Sequence, residues 1–254
     1  MGLFKRKNAE KNEKWNIRTM FGPNLNFATT EAYKLLRTNI MFSFTETGKG
    51  HVVGITSSVQ SEGKSSTASN TAYALSESGA KVLLMECDLR RPSLAFKLGL
   101  ERAPGLSNLL IGKAQLPATI QQCALVPALD IMTSGDIPPN PSELLASPRM
   151  EALLEELRET YDYIIVDLPP ITVVSDALAM SKRLDGMVVV VRADHSDRQM
   201  LAEAMRQLKM VGVRILGFVY RETDSNKKRY GYRYKYSKKY YKYYQEYTKK
   251  PGKK

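Results

Sequence analysis

The chain has 254 residues, 43% hydrophobic and 25% charged, enough to bury the core of one large domain or two small ones. Two cysteines (Cys87, Cys123) and two histidines (His51, His195) exclude a disulfide scaffold and a His/Cys zinc site, and no apolar run approaches the ~18 residues that span a bilayer. The net charge of +12 sits at the ends, +4 over residues 1–21 and +11 over 225–254, leaving −3 between; a domain that reads DNA with its folded surface carries its positive charge on the core instead.

Residues 1–28 read as a flexible basic arm. Its first residues lack the apolar stretch of a signal peptide, and Arg6 stands where N-myristoylation of Gly2 wants Ser or Thr. A cytoplasmic protein is expected. From Thr29 the apolar spacing turns helical (Ala32, Leu35, Leu36, Ile40, Met41), with Thr29 or Thr30 as cap, and predicts a helix within 29–47 that Gly48 and Gly50 end.

Short Val/Ile-rich runs then alternate with helical stretches. The runs are Val52–Thr56, Val82–Met85, Leu129–Met132, Tyr163–Val166, Met187–Val191 and Ile215–Val219. The helical stretches include Lys64–Ser78, Pro148–Thr160 and Ser196–Val211. This order predicts an α/β fold, a doubly wound and mostly parallel sheet with helices on both faces, over residues 29–224. Pro138-Pro139-Asn140-Pro141 reads as a loop inside that domain. Residues 225–254 contain no Leu, Ile, Val, Met, Phe or Trp, so this tail has nothing to bury and is expected to be disordered alone.

The main chemical signal is Ser58-Val59-Gln60-Ser61-Glu62-Gly63-Lys64-Ser65, between the first run and the helix that follows. It matches the P-loop pattern at Gly63, Lys64 and Ser65, with Ser58 at the first glycine. Successive backbone N–H groups at a helix N-terminus make an anion nest. Lys64 would reach the β- and γ-phosphates of ATP, Ser65 would ligate Mg²⁺, and Ser61, Glu62, Gly63 and Ser66 complete the expected ATP-binding stretch. Two later strands end in acids: Glu86 and Asp88 after Val82-Leu83-Leu84-Met85, and Asp167, at the Walker B position, after Tyr163-Ile164-Ile165-Val166. The C-terminal ends of parallel strands converge beside the loop, so Asp88 and Asp167 are expected at the metal. Partition and division-site ATPases carry an additional lysine five residues before the main one; Val59 stands there, which weakens that reading.

Nine of the 14 tyrosines lie in the basic tail: Tyr230, Tyr232, Tyr234, Tyr236, Tyr240, Tyr241, Tyr243, Tyr244 and Tyr247. Such a tail could stack on single-stranded nucleic acid, act as an inert solubilising segment, or accept phosphate. Nine phosphotyrosines would add roughly −14 to −18 charges, enough to reverse the tail's charge. A nucleotide-hydrolysing core on the same chain favours acceptors, so no nucleic-acid partner is expected.

On these residues the chain resembles the bacterial tyrosine kinases (BY-kinases) of capsular and exopolysaccharide operons, in the Gram-positive form whose cytosolic kinase is separate from its membrane-spanning activator. The carriers are Thr56–Ser65, Leu83–Arg90 with Pro92, Ile164–Pro170, Pro138–Leu145 and the tyrosine cluster, within residues 29–254. The resemblance implies autophosphorylation of the tail in trans, within a ring of subunits. It also implies recruitment to the inner face of the membrane by an activator (a polysaccharide co-polymerase), reversal by a tyrosine phosphatase, and control of polysaccharide synthesis and export. Catalytic roles fall on Lys64, Glu86, Asp88 and Asp167, with Glu86 activating the acceptor hydroxyl. Glu31, Lys34 and Arg37 match the family's E-x-x-R-x-x-R oligomerisation motif, with lysine in the middle. The chain departs from the family also at Gln60-Ser61, where P-G is common, at Glu86, where the pattern has Asp, and at Arg221, where relatives often have Asn. Ser61 is strained if its position needs positive φ. The alternatives are a partition-type ATPase binding membrane or nucleic acid through basic ends, and a nucleotide sensor without kinase activity.

Overall fold

The structure, a computed structural model, describes residues 21–44 and 48–222. Seven strands form one sheet: β1 (His51–Ser57), β2 (Val82–Glu86), β3 (Gln121–Gln122), β4 (Leu129–Met132), β5 (Tyr163–Asp167), β6 (Gly186–Arg192) and β7 (Ile215–Arg221). Their order is β3-β4-β2-β5-β1-β6-β7. Every neighbouring pair is parallel except β3 with β4. The expected doubly wound sheet is present, and each of the six apolar runs is one of its strands. The strand without an apolar run, β3, is two glutamines on the edge, where pairing rather than burial defines it.

Burial alternates along the strands because successive side chains point to opposite faces. Val53, Ile55, Leu84, Ile165 and Val188 pack on one face with Ile40, Ala72 and Leu75. Val52, Leu83, Met85, Ile164, Val166 and Val189 pack on the other with Leu154, Leu157 and Leu208. The first face is covered by α1 (Phe27–Ser43) and α2 (Lys64–Glu77), the second by α7 (Pro148–Arg158) and α9 (Arg198–Val211). Each fully buried Leu or Ile contributes about 1.5–3 kcal/mol of transfer free energy, so this two-faced core holds the sheet rigid beneath the strand ends. Five short helices fill the connections: α3 (Leu94–Leu98), α4 (Leu106–Leu110), α5 (Leu116–Thr119), α6 (Pro141–Ala146) and α8 (Asp176–Met180). Among the described residues no helix is long and apolar enough to cross a membrane.

Two expectations near the N-terminus are corrected. The arm expected to run to residue 28 is docked from Phe21 onward. The Phe21 ring is buried and meets Tyr73 edge-on at 5.5 Å, and Gly22 donates its N–H to Asn70 Oδ1 at 3.0 Å. The first helix starts at Phe27 rather than Thr29, because Asn26, a preferred N-cap residue, accepts the Thr29 N–H at 2.9 Å. Residues 1–20 of the arm, 45–47 of the expected first helix, and the tail with its nine tyrosines lie outside the described residues. The Pro138–Pro141 loop ends where Pro141 opens α6, its fixed φ suiting a first helical position.

Candidate active site at the strand ends

The loop leaves the buried end of β1 and enters α2. Gly63 is the N-cap of α2 at φ 95°, a left-handed conformation that glycine adopts without a Cβ penalty. Ser61 is also left-handed, at φ 64°, the strain that its position threatened. The loop is held from inside and outside. Inside, the buried Glu62 carboxylate accepts from the Ser58 hydroxyl at 3.0 Å and the Val59 N–H at 2.9 Å. Outside, the end of β6 and the turn after it grip it. The Ser196 hydroxyl bonds Glu62, His195 Nε2 donates to the Gln60 carbonyl at 2.8 Å, and Arg192 donates to the Ser61 carbonyl at 2.9 Å. Arg91 donates to the Gln60 side chain at 2.9 Å. Glu62 is thus a strut beneath the loop. Arg192, His195 and Ser196 carried no sequence signal, since they become loop residues only when β6 lies beside β1.

Lys64 is nearly enclosed. Its ammonium lies 2.8 Å from Asp88 Oδ2 and 3.4 Å from Asp167 Oδ1, with Ser65 Oγ also at 3.4 Å. Burial opposes its charge, but Asp167 and Asp88 outweigh burial and hold the ammonium above the ordinary lysine range. Three expected site residues from three separate elements therefore converge. Ser65 is buried at the first turn of α2, and Ser66 is half-buried beside it. The other Asp167 oxygen, Oδ2, is buried without a hydrogen-bond partner. Among the described residues no three His, Cys, Asp or Glu side chains cluster into an all-protein metal cage. A loosely held serine hydroxyl, an orphaned carboxylate oxygen and a second carboxylate are hard oxygen donors. They fit Mg²⁺, which keeps waters and substrate phosphates in its shell.

Glu86 sits differently from its expected role. Parallel pairing sets it directly beside Asp167 across β2 and β5, and it is fully buried. Oε1 accepts the N–H groups of Ser93 and Leu94, the latter at 2.7 Å, and Oε2 accepts that of Ser134 at 3.2 Å. The carboxylate ties the start of α3 and the start of the loop after β4 to β2. Burial raises its pKa above the usual carboxylate value, with the Asp167 charge adding to that and the three amides working against it. Asp88, two residues on, faces Lys64 instead, its other oxygen accepting the Arg91 N–H at 3.0 Å.

A second network braces the loop after β2. Arg90 grips the buried Asp176 with both a 2.8 Å and a 3.1 Å bond, and Ser142 at the start of α6 bonds the same carboxylate. In the expected oligomerisation motif, Lys34 pairs with Glu31 at 2.9 Å, while Arg37 turns inward and donates to the Ala74 carbonyl of α2 at 3.0 Å. Within the chain, Arg37 is therefore a bridge between α1 and α2.

Residues 49–239 match the family model described as ParA, NUBPL iron-transfer P-loop NTPase. The chain is 36% identical to the tyrosine-protein kinase YwqD of Bacillus subtilis over 229 residues, 89% of this chain and 94% of that one. It is 35% identical to the longer EpsB protein of Ralstonia solanacearum over 80% of its own length but only 27% of that protein's. The structure resembles the kinase domain of the Escherichia coli tyrosine kinase ETK with a TM-score of 0.73 and 33% identity, over 80% of this chain and 79% of that one.

Proposed function

Since the chain belongs to the bacterial tyrosine kinases within the ParA-type P-loop NTPases, we propose that Lys64, Asp88 and Asp167 form the centre that moves phosphate from ATP to tyrosine. The protein is a P-loop protein-tyrosine kinase. The observation that carries the site is Lys64 shared between two carboxylates at the head of α2, beside an orphaned Asp167 oxygen.

An arriving triphosphate competes with Asp88 and Asp167 for the Lys64 ammonium. The loop amides and Lys64 then stabilise the charge that develops on the transferred group, the main catalytic contribution in phosphoryl transfer. Ser65, Asp88 and Asp167 would hold Mg²⁺, which supplies charge neutralisation on the phosphates. The phenol oxygen bonds to the γ-phosphorus, the bond from that phosphorus to the ADP oxygen breaks, and the phenolic proton leaves to a carboxylate. Asp88 is the better candidate for that proton: the triphosphate draws Lys64 away from its Oδ2, whereas the Glu86 oxygens are held by backbone amides that do not leave.

The acceptors in this reading are Tyr230, Tyr232, Tyr234, Tyr236, Tyr240, Tyr241, Tyr243, Tyr244 and Tyr247, phosphorylated in trans between copies. Their basic surroundings support attraction to a site holding carboxylates and triphosphate, and phosphorylation removes that attraction. Copies would assemble through the exposed face of α1 around Glu31 and Lys34. A membrane-spanning activator would hold them at the inner face of the membrane, a tyrosine phosphatase would reset them, and polysaccharide synthesis and export would be the controlled process. Intact mass and peptide mapping after Mg·ATP incubation, with activator, test this. Phosphate confined to residues 230–247 and lost in Lys64→Met supports it. ATP binding without added mass would turn the reading toward an ATPase or a sensor.

A further inference from the structure

Most cations around the phosphate loop are already engaged: Lys64 by two aspartates, Arg192 by the Ser61 carbonyl, Arg91 by Gln60. Lys97 is different. It is half-buried on α3, and its ammonium has no hydrogen bond or ion pair among the described residues. Its N–H bonds the Ser93 carbonyl, so Lys97 lies one helical turn beyond Ser93 on the same face. The Ser93 hydroxyl approaches Ser65 Oγ, at the head of α2, to 3.4 Å. Electrostatics agree with that placement. Burial lowers the Lys97 pKa below the ordinary lysine value, Asp167 and Glu86 raise it, and Lys64 and Arg221 lower it. The Arg221 guanidinium rests on Gly63 so closely that a Cβ there would meet Nη1 at 1.4 Å. Three cations therefore lie about one anion nest: Lys64 within it, Arg221 over Gly63, and Lys97 one helical turn after Ser93, whose hydroxyl reaches Ser65.

We propose that Lys97 is a further phosphate-binding residue, which contacts the terminal phosphoryl group and makes the site prefer a triphosphate to a diphosphate. This rests on the nucleotide reading of the loop. A half-buried ammonium without a partner is unfavourable in the free protein and becomes favourable when an anion arrives. The Ser65 side of the loop, with Asp88 and Asp167, is where the transferred group must lie. The lysine position that partition ATPases use is Val59 here, so this chain supplies its second lysine from another element.

The test is calorimetric titration of the full chain with Mg·ADP and with a non-hydrolysable Mg·ATP analogue. Wild type, Lys97→Met and Lys97→Arg are compared, and their melting temperatures are recorded without nucleotide. Lys97→Met should bind the triphosphate analogue about tenfold or more weakly while ADP affinity changes less than about twofold, as expected for one charge-assisted hydrogen bond. Lys97→Arg should keep the preference. Lys97→Met should melt no lower than wild type, because an unpaired charge leaves the interior. Equal loss for both nucleotides, or no loss for either, overturns the proposal while the nucleotide site stands. A wild type that binds neither nucleotide overturns the nucleotide reading itself, and this inference with it.

Discussion

Removing the Glu86 carboxylate separates two roles that a strand-end acid can have. Glu86→Ala withdraws the acceptor from three backbone N–H groups, those of Ser93, Leu94 and Ser134. Leu94 and Ser134 are buried, so two donors lose their partner away from water. Each buried orphan costs about 1–3 kcal/mol, giving roughly 2–6 kcal/mol, less what is recovered by no longer burying a charge. At about 2–4 °C per kcal/mol for a domain of this size, the melting temperature should fall by roughly 5–20 °C. Glu86→Gln keeps a carbonyl for Ser93 and Leu94 and turns its NH₂ toward the Ser134 N–H, a single mismatch, so its loss should be about 1–3 kcal/mol. Differential scanning calorimetry reads both. The Glu86 pKa is raised on folding, so its ionised form costs stability at neutral pH. Lowering the pH through that folded value toward the unfolded one, near 4.5, should recover stability in wild type and not in Glu86→Gln. A Glu86→Ala protein that melts within about 2 °C of wild type yet transfers no phosphate would refute the architectural role and restore Glu86 as the base.

Three further outcomes follow from the same geometry. Ser61→Gly relieves a left-handed serine at φ 64°, a strain of about 1–2 kcal/mol partly offset by glycine's greater freedom when unfolded; the melting temperature should rise by about 1–3 °C, and a fall would show the loop unstrained. Lys64 has a raised pKa in the folded state, so its pairing with Asp88 and Asp167 contributes stability up to the ordinary lysine value of 10.5 and loses it as pH rises through the higher folded value. Urea midpoints measured from pH 8 to 11 should decline more steeply in wild type than in Lys64→Met; parallel curves would count against the buried pairing. Asp176→Ala removes the buried carboxylate that Arg90 and Ser142 share and should cost about 2–4 kcal/mol, with slower phosphotransfer because the loop bearing Asp88 and Arg91 loses its brace. Arg90→Ala should cost less, since Arg90 is partly exposed; equal losses would point to a different origin.

Much of this was legible one residue at a time. The central strands are Val/Ile runs because a sheet covered on both faces needs apolar side chains on both, and that pattern survives without knowledge of the partners. The phosphate loop was legible because its conformation is a local matter: Gly63 at positive φ, Lys64 next, a helix after, all within eight residues. Asp88 and Asp167 could be named because strand-end acids in a parallel sheet share one rim. The sequence places the start of α1 two residues late because Asn26 competes with Thr29 as cap, and lets the arm run too far because Phe21 packs against Tyr73, 52 positions away.

Periodicity and short-range backbone geometry encode the fold class and the P-loop, so both are readable from the residues in order. What each polar side chain does there follows from contacts between distant segments. Register across β2 and β5 sets Glu86 beside Asp167, its carboxylate meets three amides, and Lys64 faces Asp88 instead. The grip of Arg192, His195 and Ser196 on the loop exists because β6 pairs with β1, and the approach of Arg221 to Gly63 because β7 pairs with β6. Those contacts join residues more than a hundred positions apart, where side-chain charge and hydrogen bonding depend on packing that no local pattern records.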